Sequence, residues 1–428
     1  MGLSRRFLNL IVEDRIPVFK SLRCIDLRRQ HFFNNTTPQH PNGNGSESEE
    51  RPQDATSWAP TADACNLKNT QDAAGAAALK IERIRLPNPS FSFLASAVGY
   101  EWTTNCFPLA DRKVLCTDQS ARAFLFDADT RDVSTMPDLH RPKCVPFSLF
   151  VPSADLEGRD DGGGSIFVME SIPAPELRRN GRPSHQFEAF VYGKPTLTSS
   201  SKSWQCQLLP PPPFVCDPNM YCDGKLPSIS SYTVVGGGSH ICISSEGTGG
   251  TYCLDTVRHT WSHEFKWTLP FHGKVEYVPE LNLWFGLSAK DWHLAAADLS
   301  SMDSQPQLVG VWKEFNPPEE WRVTQDPQLV NLGSGRFVVV RFFHTWNQTD
   351  DFSYEIKEDY FVVLTGVEVV PRGHDGNDNG CDNGDGNGSG HSDSNGNGGN
   401  GKVELRMNTH KSKRHTSYGR DGTIRTVF

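Results

Sequence analysis

Apolar and polar residues along this chain alternate in short runs rather than in helical stripes. The clearest case is Gly236–Ser288, GGGSHICISSEGTGGTYCLDTVRHTWSHEFKWTLPFHGKVEYVPELNLWFGLS. His240–Ser244 sets Ile241 and Ile243 on one side of a pleat and Cys242 on the other. Glu246–Gly250 is too rich in glycine for a helix and suits a hairpin connection. Thr251–Asp255 returns as a second strand, and Trp261–Leu269 makes a third that is rich in aromatics. Strands this short cannot bury a face alone, so the pattern predicts neighbours on both faces.

The unit recurs around an aspartate. Asp255 follows Leu254 and precedes Trp261, Asp127 follows Phe126 and precedes Val133, and Asp26 follows Ile25 and precedes Phe32. In each case the aspartate closes an apolar strand and opens a polar turn, whose N–H groups its carboxylate can bond. The bulky residue that follows at the same spacing begins the next strand. Self-similarity of this kind marks solenoids and propellers, so these six positions read as structural repeat residues.

Taken in order, residues 7–33 give the strands FLNLIV and LRCIDL. Residues 34–78 are polar and poor in β-branched side chains, which predicts a disordered insert with one helix-like patch at Ala73–Lys80. The strand Ile81–Leu86 follows and is stopped by Pro87, so residues 7–86 without the insert read as one interrupted blade. Further units run over 103–136, over 146–213 with a Gly/Asp loop at Asp160–Gly164, from about Ser230, from HGKVEYV to Trp312, and from PQLVNL to GVEVV. The expected fold is an all-β, kelch-like propeller of about six blades over residues 1–370. A Gly/Asn/Asp-rich flexible segment at 371–401 and a closing strand with a basic tail at 402–428 complete the chain. The first blade is short of a strand. The sixth unit or Lys402–Met407 would supply it and leave no open edge.

Composition narrows the picture. Glycine (37) and proline (29) are plentiful in the 428 residues and aromatics make up 10%, which disfavours an α/β fold. The net charge of −9 supports solubility and gives no basic footprint for nucleic acid. No stretch approaches the roughly 18 apolar residues of a membrane span. Too few apolar residues follow Arg5 and Arg6 for a secretory core, and Arg6 breaks the myristoylation pattern. The expectation is an intracellular protein, cytoplasmic or nuclear. The 11 cysteines form no CxxC pair, which predicts reduced thiols, and the acceptor sequons at Asn35, Asn44, Asn347 and Asn387 are expected to be unused.

Each aspartate with its apolar predecessor, and above all Asp255 with Trp261, resembles the kelch repeat, and Gly236–Gly238 supplies its double-glycine strand. A longer set of segments is similar to a large plant family expanded in grasses, a domain of unknown function numbered sixteen-sixty-eight. The segments RRFLNLIVED, LRCIDL, FPLADRKVLC, AFLFDADTR, SLFVPSAD, FEAFVY, SWQCQLLPPPP, GGGSHICIS, TYCLDT and GKVEYVPELNLWFGLSAKDWHLAAADLS carry that likeness over nearly the whole chain outside the two inserts. The resemblance implies no catalytic residues.

The chemistry-bearing motifs are incomplete. Asp375–Gly380 matches half of a calcium loop, but Gly386 stands where the bidentate Glu is needed. His259 and His263 lie on a turn and a strand, and Trp267 replaces the second histidine of a zinc helix. Gly236–Gly238 and Gly247–Gly250 lack a phosphate-loop Lys, and Ser239-His240 and Ser184-His185 are neighbours without a third partner. The basic cluster His410–His415 reads as a solvated tail, and Trp292, Trp321 and Trp346 as packing between blades. No catalytic, cofactor-binding or metal residues are assigned. The sequence points to a non-enzymatic propeller binding another protein. A carbohydrate-binding or oxidase-type propeller and a ubiquitin-ligase adaptor without an F-box are the alternatives.

Overall fold

A computed structural model describes residues 5–15, 18–34, 81–94, 104–109, 113–152, 164–176, 184–193, 202–221, 226–348, 356–372, 404–417 and 422–428. The predicted insert from residue 35, the Ala73–Lys80 patch, the Asp160–Gly164 loop except Gly164, and residues 373–401 with the half-matched calcium loop lie outside the described residues.

Hairpins build the chain. β1 (Phe7–Arg15) and β2 (Val18–Asp26) pair antiparallel; β3 (Ile81–Arg83) and β4 (Phe91–Leu94) follow. β5 (Asn105–Pro108), β6 (Lys113–Thr117), β7 (Ala123–Asp127) and β8 (Val133–Thr135) form the second sheet in chain order. β9 (Pro146–Pro152), β10 (Gly164–Glu170), β11 (Ser184–Gly193) and β12 (Ser203–Leu209) form the third. An eight-stranded sheet then joins β13 (Ile229–Val235), β14 (His240–Ser245), β15 (Gly250–Asp255) and β16 (Thr260–Phe265) to β17 (Phe271–Val278), β18 (Leu283–Ser288), β19 (Leu294–Ala297) and β20 (Leu308–Trp312). Its halves meet through a short parallel pairing of β13 with β17, reinforced by Thr233 Oγ1 donating to the Val275 carbonyl at 3.0 Å. β21 (Arg322–Gly333), β22 (Arg336–Gln348), β23 (Ile356–Pro371) and β24 (Leu405–Thr416) make the next sheet, and β25 (Thr423–Val427) ends the order.

Side-chain alternation explains how the sheets pack. Ile241, Ile243, Tyr252 and Leu254 of β14 and β15 join a core with Phe147, Phe167 and Phe187 of the preceding sheet. Cys242 and Cys253, on the opposite face of the same strands, join Phe271, Val275 and Trp284 of the following one. The same division carries around the molecule. Phe285 and Ala296 meet Phe337 and Val339; Val338 and Leu364 meet Leu8, Leu10 and Ile424. Ile11, Leu22 and Phe93 meet Val114 and Phe126, and Leu115 and Ala123 meet Ile166 and Phe190. The last contact returns to the third sheet, so the cores link the sheets in a closed ring.

Three expectations about the chain ends are corrected. Residues 7–86 do not make one blade: β3 pairs parallel with β24 at the other end of the chain, because Ile84 behind it buries against Val338 and Leu364, while β4 completes the first sheet. The closing strand is β25, which pairs with β1, and not Lys402–Met407, whose described part opens β24. β25 closes the ring because Ile424 and Val427 enter one core and Phe428 the next. The His410–His415 cluster is no solvated tail. It lies within β24, with Ser412 and His415 buried and Lys413 paired to Glu82 at 3.1 Å.

The cysteines also depart from expectation. Cys242 and Cys253 stand opposite each other on β14 and β15 with Cα atoms 4.2 Å apart and form a disulfide. That separation is the one at which facing side chains of an antiparallel pair meet. Cys106 and Cys116 face each other in the same way with Sγ atoms 3.7 Å apart and remain thiols, as do Cys24, Cys144, Cys206 and Cys216.

The loop after β2 locks the first sheet to the last. Phe32 is buried, its carbonyl accepts the Lys411 N–H at 3.0 Å, and Lys413 lies over its ring. Gly366 sits where the β23–β24 register shifts, and a Cβ there would meet the Phe32 oxygen at 2.7 Å. Gly366→Ala is therefore expected to destabilise the fold by about 1–3 kcal/mol in urea unfolding. Deleting residues 423–428 removes three buried apolar side chains, roughly 5–9 kcal/mol by transfer, which is comparable to a whole domain's stability. The truncated protein is expected to show no cooperative thermal transition by circular dichroism.

Candidate functional site

Glu188 breaks the apolar pattern of the ring. On β11, Phe187 and Ala189 face one core, while Glu188 lies opposite Val168 on the face that Phe190 turns into the other. A shift in register between Ser184 and Glu188 brings this strand out of step with β12 at that point, as a bulge does where a side chain must be re-aimed. A buried carboxylate without partners costs several kcal/mol, and three elements supply them here.

The connection between β8 and β9 provides a cation. Lys143 Nζ contacts Glu188 Oε1 and donates to the Arg141 carbonyl at 2.7 Å. Both side chains of this ion pair are 0% exposed. Asn105 of β5 holds the connection in place through its Nδ2, which donates to the Lys143 carbonyl at 3.3 Å. Glu188 Oε2 accepts the His140 backbone N–H at 2.9 Å and lies 2.7 Å from His140 Nδ1. Cys206 of β12 directs its thiol at the same oxygen, 3.2 Å away. The His140 ring is 41% exposed, so the cluster reaches solvent on one side.

Electrostatics follow from this arrangement. Burial alone would raise the Glu188 carboxyl, but the His140 N–H, Lys143 and the His140 ring together outweigh it and hold the group below its ordinary value of 4.5. Burial, with the facing Glu188 charge, pushes the Cys206 thiol far above its usual range. The thiol is therefore protonated at neutral pH and a poor nucleophile in this state.

A cleft of about 660 Å³ opens beside the cluster, between the 141–144 connection and the 170–176 connection. Glu170 fixes one wall by accepting the Cys144 N–H at 2.9 Å and the Val145 N–H at 3.2 Å. Ile172 is 49% exposed along it. Glu176 Oε1 accepts Ser184 Oγ at 2.5 Å and Gln186 Nε2 at 2.6 Å. Glu176 Oε2 and His185 Nδ1 are buried with no partner among the described residues. The His185 and His140 ring centroids are 6.2 Å apart, which joins cleft to cluster.

The repeat residues lie elsewhere, on three different sheets and their turns. Asp26 Oδ1 accepts the Arg28 N–H at 2.9 Å, Asp127 Oδ1 the Asp129 N–H at 2.9 Å, and Asp255 Oδ1 the Val257 and Arg258 N–H groups at 2.9 and 2.8 Å. The Arg258 and Val257 amides hold the Asp255 carboxyl below its ordinary value; for Asp26 burial acts upward, and the Arg28 amide and Arg6 outweigh it. Val133 begins β8 but is half-exposed, Phe32 begins no strand and is buried, and Trp261 lies in β16 with Nε1 donating to the Pro210 carbonyl at 3.0 Å. Ser239 Oγ and His240 Nδ1 are 2.8 Å apart on an exposed turn, and Ser184 serves Glu176 rather than His185. Trp321 packs against Phe343 and Phe361 as expected of a core aromatic, whereas Trp346 is 53% exposed beside His344. The sequence reading passed over His140, Lys143, Glu188 and Cys206. The one available signal was an acidic residue inside the apolar run FEAFVY.

Sheets buried on both faces and stacked around a closed ring, with the connections gathered into a cleft at their ends, define an all-β propeller. No helix among the described residues is long and apolar enough to cross a membrane. The chain belongs to the family described as a protein of unknown function, DUF1668, which matches residues 5–415. No curated protein matches the sequence. Among solved structures it is similar to the Cps50 (Swd1) β-propeller domain of Myceliophteria thermophila, at 10% identity over 46% of this chain and 53% of that one, with a TM-score of 0.26. It is also similar to the Dos1 propeller, at 13% identity over 61% of this chain and 60% of that one, with a TM-score of 0.30. In both cases the chain spans less than two thirds of the matched structure.

The ion pair sets a pH dependence. Because Glu188 titrates lower in the folded chain than its ordinary value, its contribution is complete above about pH 5 and is lost as pH falls through 4.5 and below. Glu188→Gln strands the Lys143 charge and is expected to cost about 3–5 kcal/mol at neutral pH. Urea unfolding between pH 5 and 3 is expected to give a shallower loss of stability for this variant than for the wild type.

Proposed function

We propose that this chain is a six-bladed, non-enzymatic propeller that binds another protein through the cleft between the 141–144 and 170–176 connections. The observation that carries the reading is the pairing, in one open cleft, of an exposed apolar side chain with an unanswered acceptor: Ile172 is 49% exposed, and Glu176 Oε2 has no partner among the described residues. Its volume lies within the range of about 300–1,000 Å³ typical of binding pockets. A partner segment with an apolar residue next to a basic one fits this lining, the apolar side chain against Ile172 and the basic one beside the Glu176 carboxylate. Two further observations favour binding over catalysis. The Cys206 thiol is raised, and Ser184 donates to Glu176 and not to the neighbouring His185 imidazole. Six of the eight described cysteines are thiols, which suits a cytoplasmic or nuclear location, while the Cys242–Cys253 disulfide is of the kind an oxidising compartment preserves.

Affinity capture from the source tissue with wild type and Ile172→Asp as baits tests the reading. The wild type is expected to retain a reproducible protein that Ile172→Asp loses, with thermal midpoints within roughly 2 °C of each other, as befits an exposed substitution. Glu176→Gln is expected to weaken the same interaction. Capture of an identical set by both baits, or of none, overturns the proposal.

A further inference from the structure

We propose that His140 Nδ1, Glu188 Oε2 and Cys206 Sγ form a binding site for a thiophilic divalent cation of the zinc type, with water as fourth ligand. The donors come from three separate elements, the β8–β9 connection, β11 and β12, and converge to within 4.8 Å of one another. Their separations are 2.7 Å for His140 to Glu188, 3.2 Å for Glu188 to Cys206, and 3.9 Å for Cys206 to His140. A tetrahedral zinc ion, with bonds near 2.0–2.3 Å, sets its donors about 3.3–3.7 Å apart. The cluster reaches that geometry by shifts of about 0.1–0.6 Å, the largest being the withdrawal of the partly exposed His140 ring from Glu188.

The donor set selects the ion. One imidazole, one thiol and one carboxylate are zinc ligands, whereas magnesium and calcium require oxygen donors throughout. Lys143 takes Glu188 Oε1, and the His140 amide holds Oε2. Both are outer contacts of the kind that orient a ligating carboxylate; Oε2 accepts the amide with one lone pair and keeps the second for an ion, which would replace its contacts with the His140 ring and the Cys206 thiol. Charge permits the cation: the ion pair with Lys143 is neutral, and the Cys206 thiolate formed on binding, which releases its proton to solvent, offsets half of the dication. The solvent-facing edge of His140 gives an entry path and room for the water. The competing reading is that the carboxylate is simply satisfied by Lys143, His140 and the thiol. That reading needs neither a thiolate nor an ion.

The two readings separate on metal uptake. Full-length protein, reduced and freed of metal, is titrated with zinc chloride alone by calorimetry and with cobalt(II) chloride alone by visible absorption. The expected result is one equivalent bound, with a thiolate-to-cobalt charge-transfer band and the intense visible bands of a tetrahedral ion. Cys206→Ser is expected to lose the charge-transfer band, and His140→Ala to lose stoichiometric binding. Neither change breaks the Lys143–Glu188 pair, and an unchanged thermal midpoint verifies that each variant is folded. Cys144→Ser, which alters an exposed neighbouring thiol, is expected to leave the band in place. No uptake by the wild type, a cobalt spectrum without the thiolate band, or a band that survives in Cys206→Ser overturns the proposal.

Discussion

Burial of each sheet on both faces is the constraint from which the rest of this structure follows. A four-stranded sheet of five- to eight-residue strands has too little surface on one side to be stable alone. Here each β14–β15 side chain serves one of two cores: Ile241 and Ile243 pack backward on the third sheet, Cys242 and Cys253 forward on β17 and β18. A sheet that needs partners on both sides passes the same need to its neighbour, and only closure ends the sequence of demands. The ring is thus the way in which short alternating strands leave no apolar face in water.

Closure places unusual weight on the chain ends. β25 adds only five residues, yet its Ile424 and Val427 enter one core, Phe428 just beyond it enters the next, and it pairs with β1 across the whole length of the sequence. β3 is added beside β24, and Phe32 is packed between the sheet that holds both chain ends and the sheet of β21 to β24. The first and last sheets are therefore joined by a backbone hydrogen bond from Lys411 to Phe32 as well as by packing. That join is long-range in sequence, so it carries a loop-closure entropy cost that local hairpins do not. The glycine at position 366 is its tightest backbone approach to Phe32, which is why one methyl group there matters more than its size suggests.

Local chemistry was legible in the chain and long-range pairing was not. The alternation of Ile241, Cys242 and Ile243 showed which side chains face apart, and the aspartates at 26, 127 and 255 marked turns because an Asx side chain bonds the amides two and three residues on. Nothing local distinguishes Thr423–Val427 from a fraying end, or tells Ile81–Arg83 to leave its neighbours for β24. Those choices are made by cores hundreds of residues away. The basic composition of His410–His415 suggested a solvated tail, but the segment lies in a strand flanked by β23 and β3, so Ser412 and His415 are buried on opposite faces and Lys413 pairs with Glu82 of β3. The cross-strand disulfide was hidden for the same reason: register, not spacing in the sequence, puts Cys242 opposite Cys253.

The site was illegible for a different reason, since its members are unremarkable apart. A histidine, a lysine and a cysteine in separate segments gain meaning only when the ring stacks the β8–β9 connection on β11 and β12. What isolates them afterwards is cost. At positions equivalent by alternation the ring uses Phe190, Ile166 and Val168, and apolar side chains of similar volume in place of a buried ion pair are commonly neutral or stabilising. A Glu188–Lys143 pair with 0% exposure of either side chain is therefore a poor solution if stability is the only demand on this interface. The pair also leaves one carboxylate oxygen turned toward a half-exposed imidazole and a thiol, where a second apolar residue would have filled the space. Its outer oxygen is held by the His140 amide, the His140 ring and the Cys206 thiol, and the His140 ring, next to His185, is the side of the cluster that reaches solvent and the neighbouring cleft. Packing accounts for the ring. It does not account for this charge, since apolar side chains at the same positions would have served the interface at least as well.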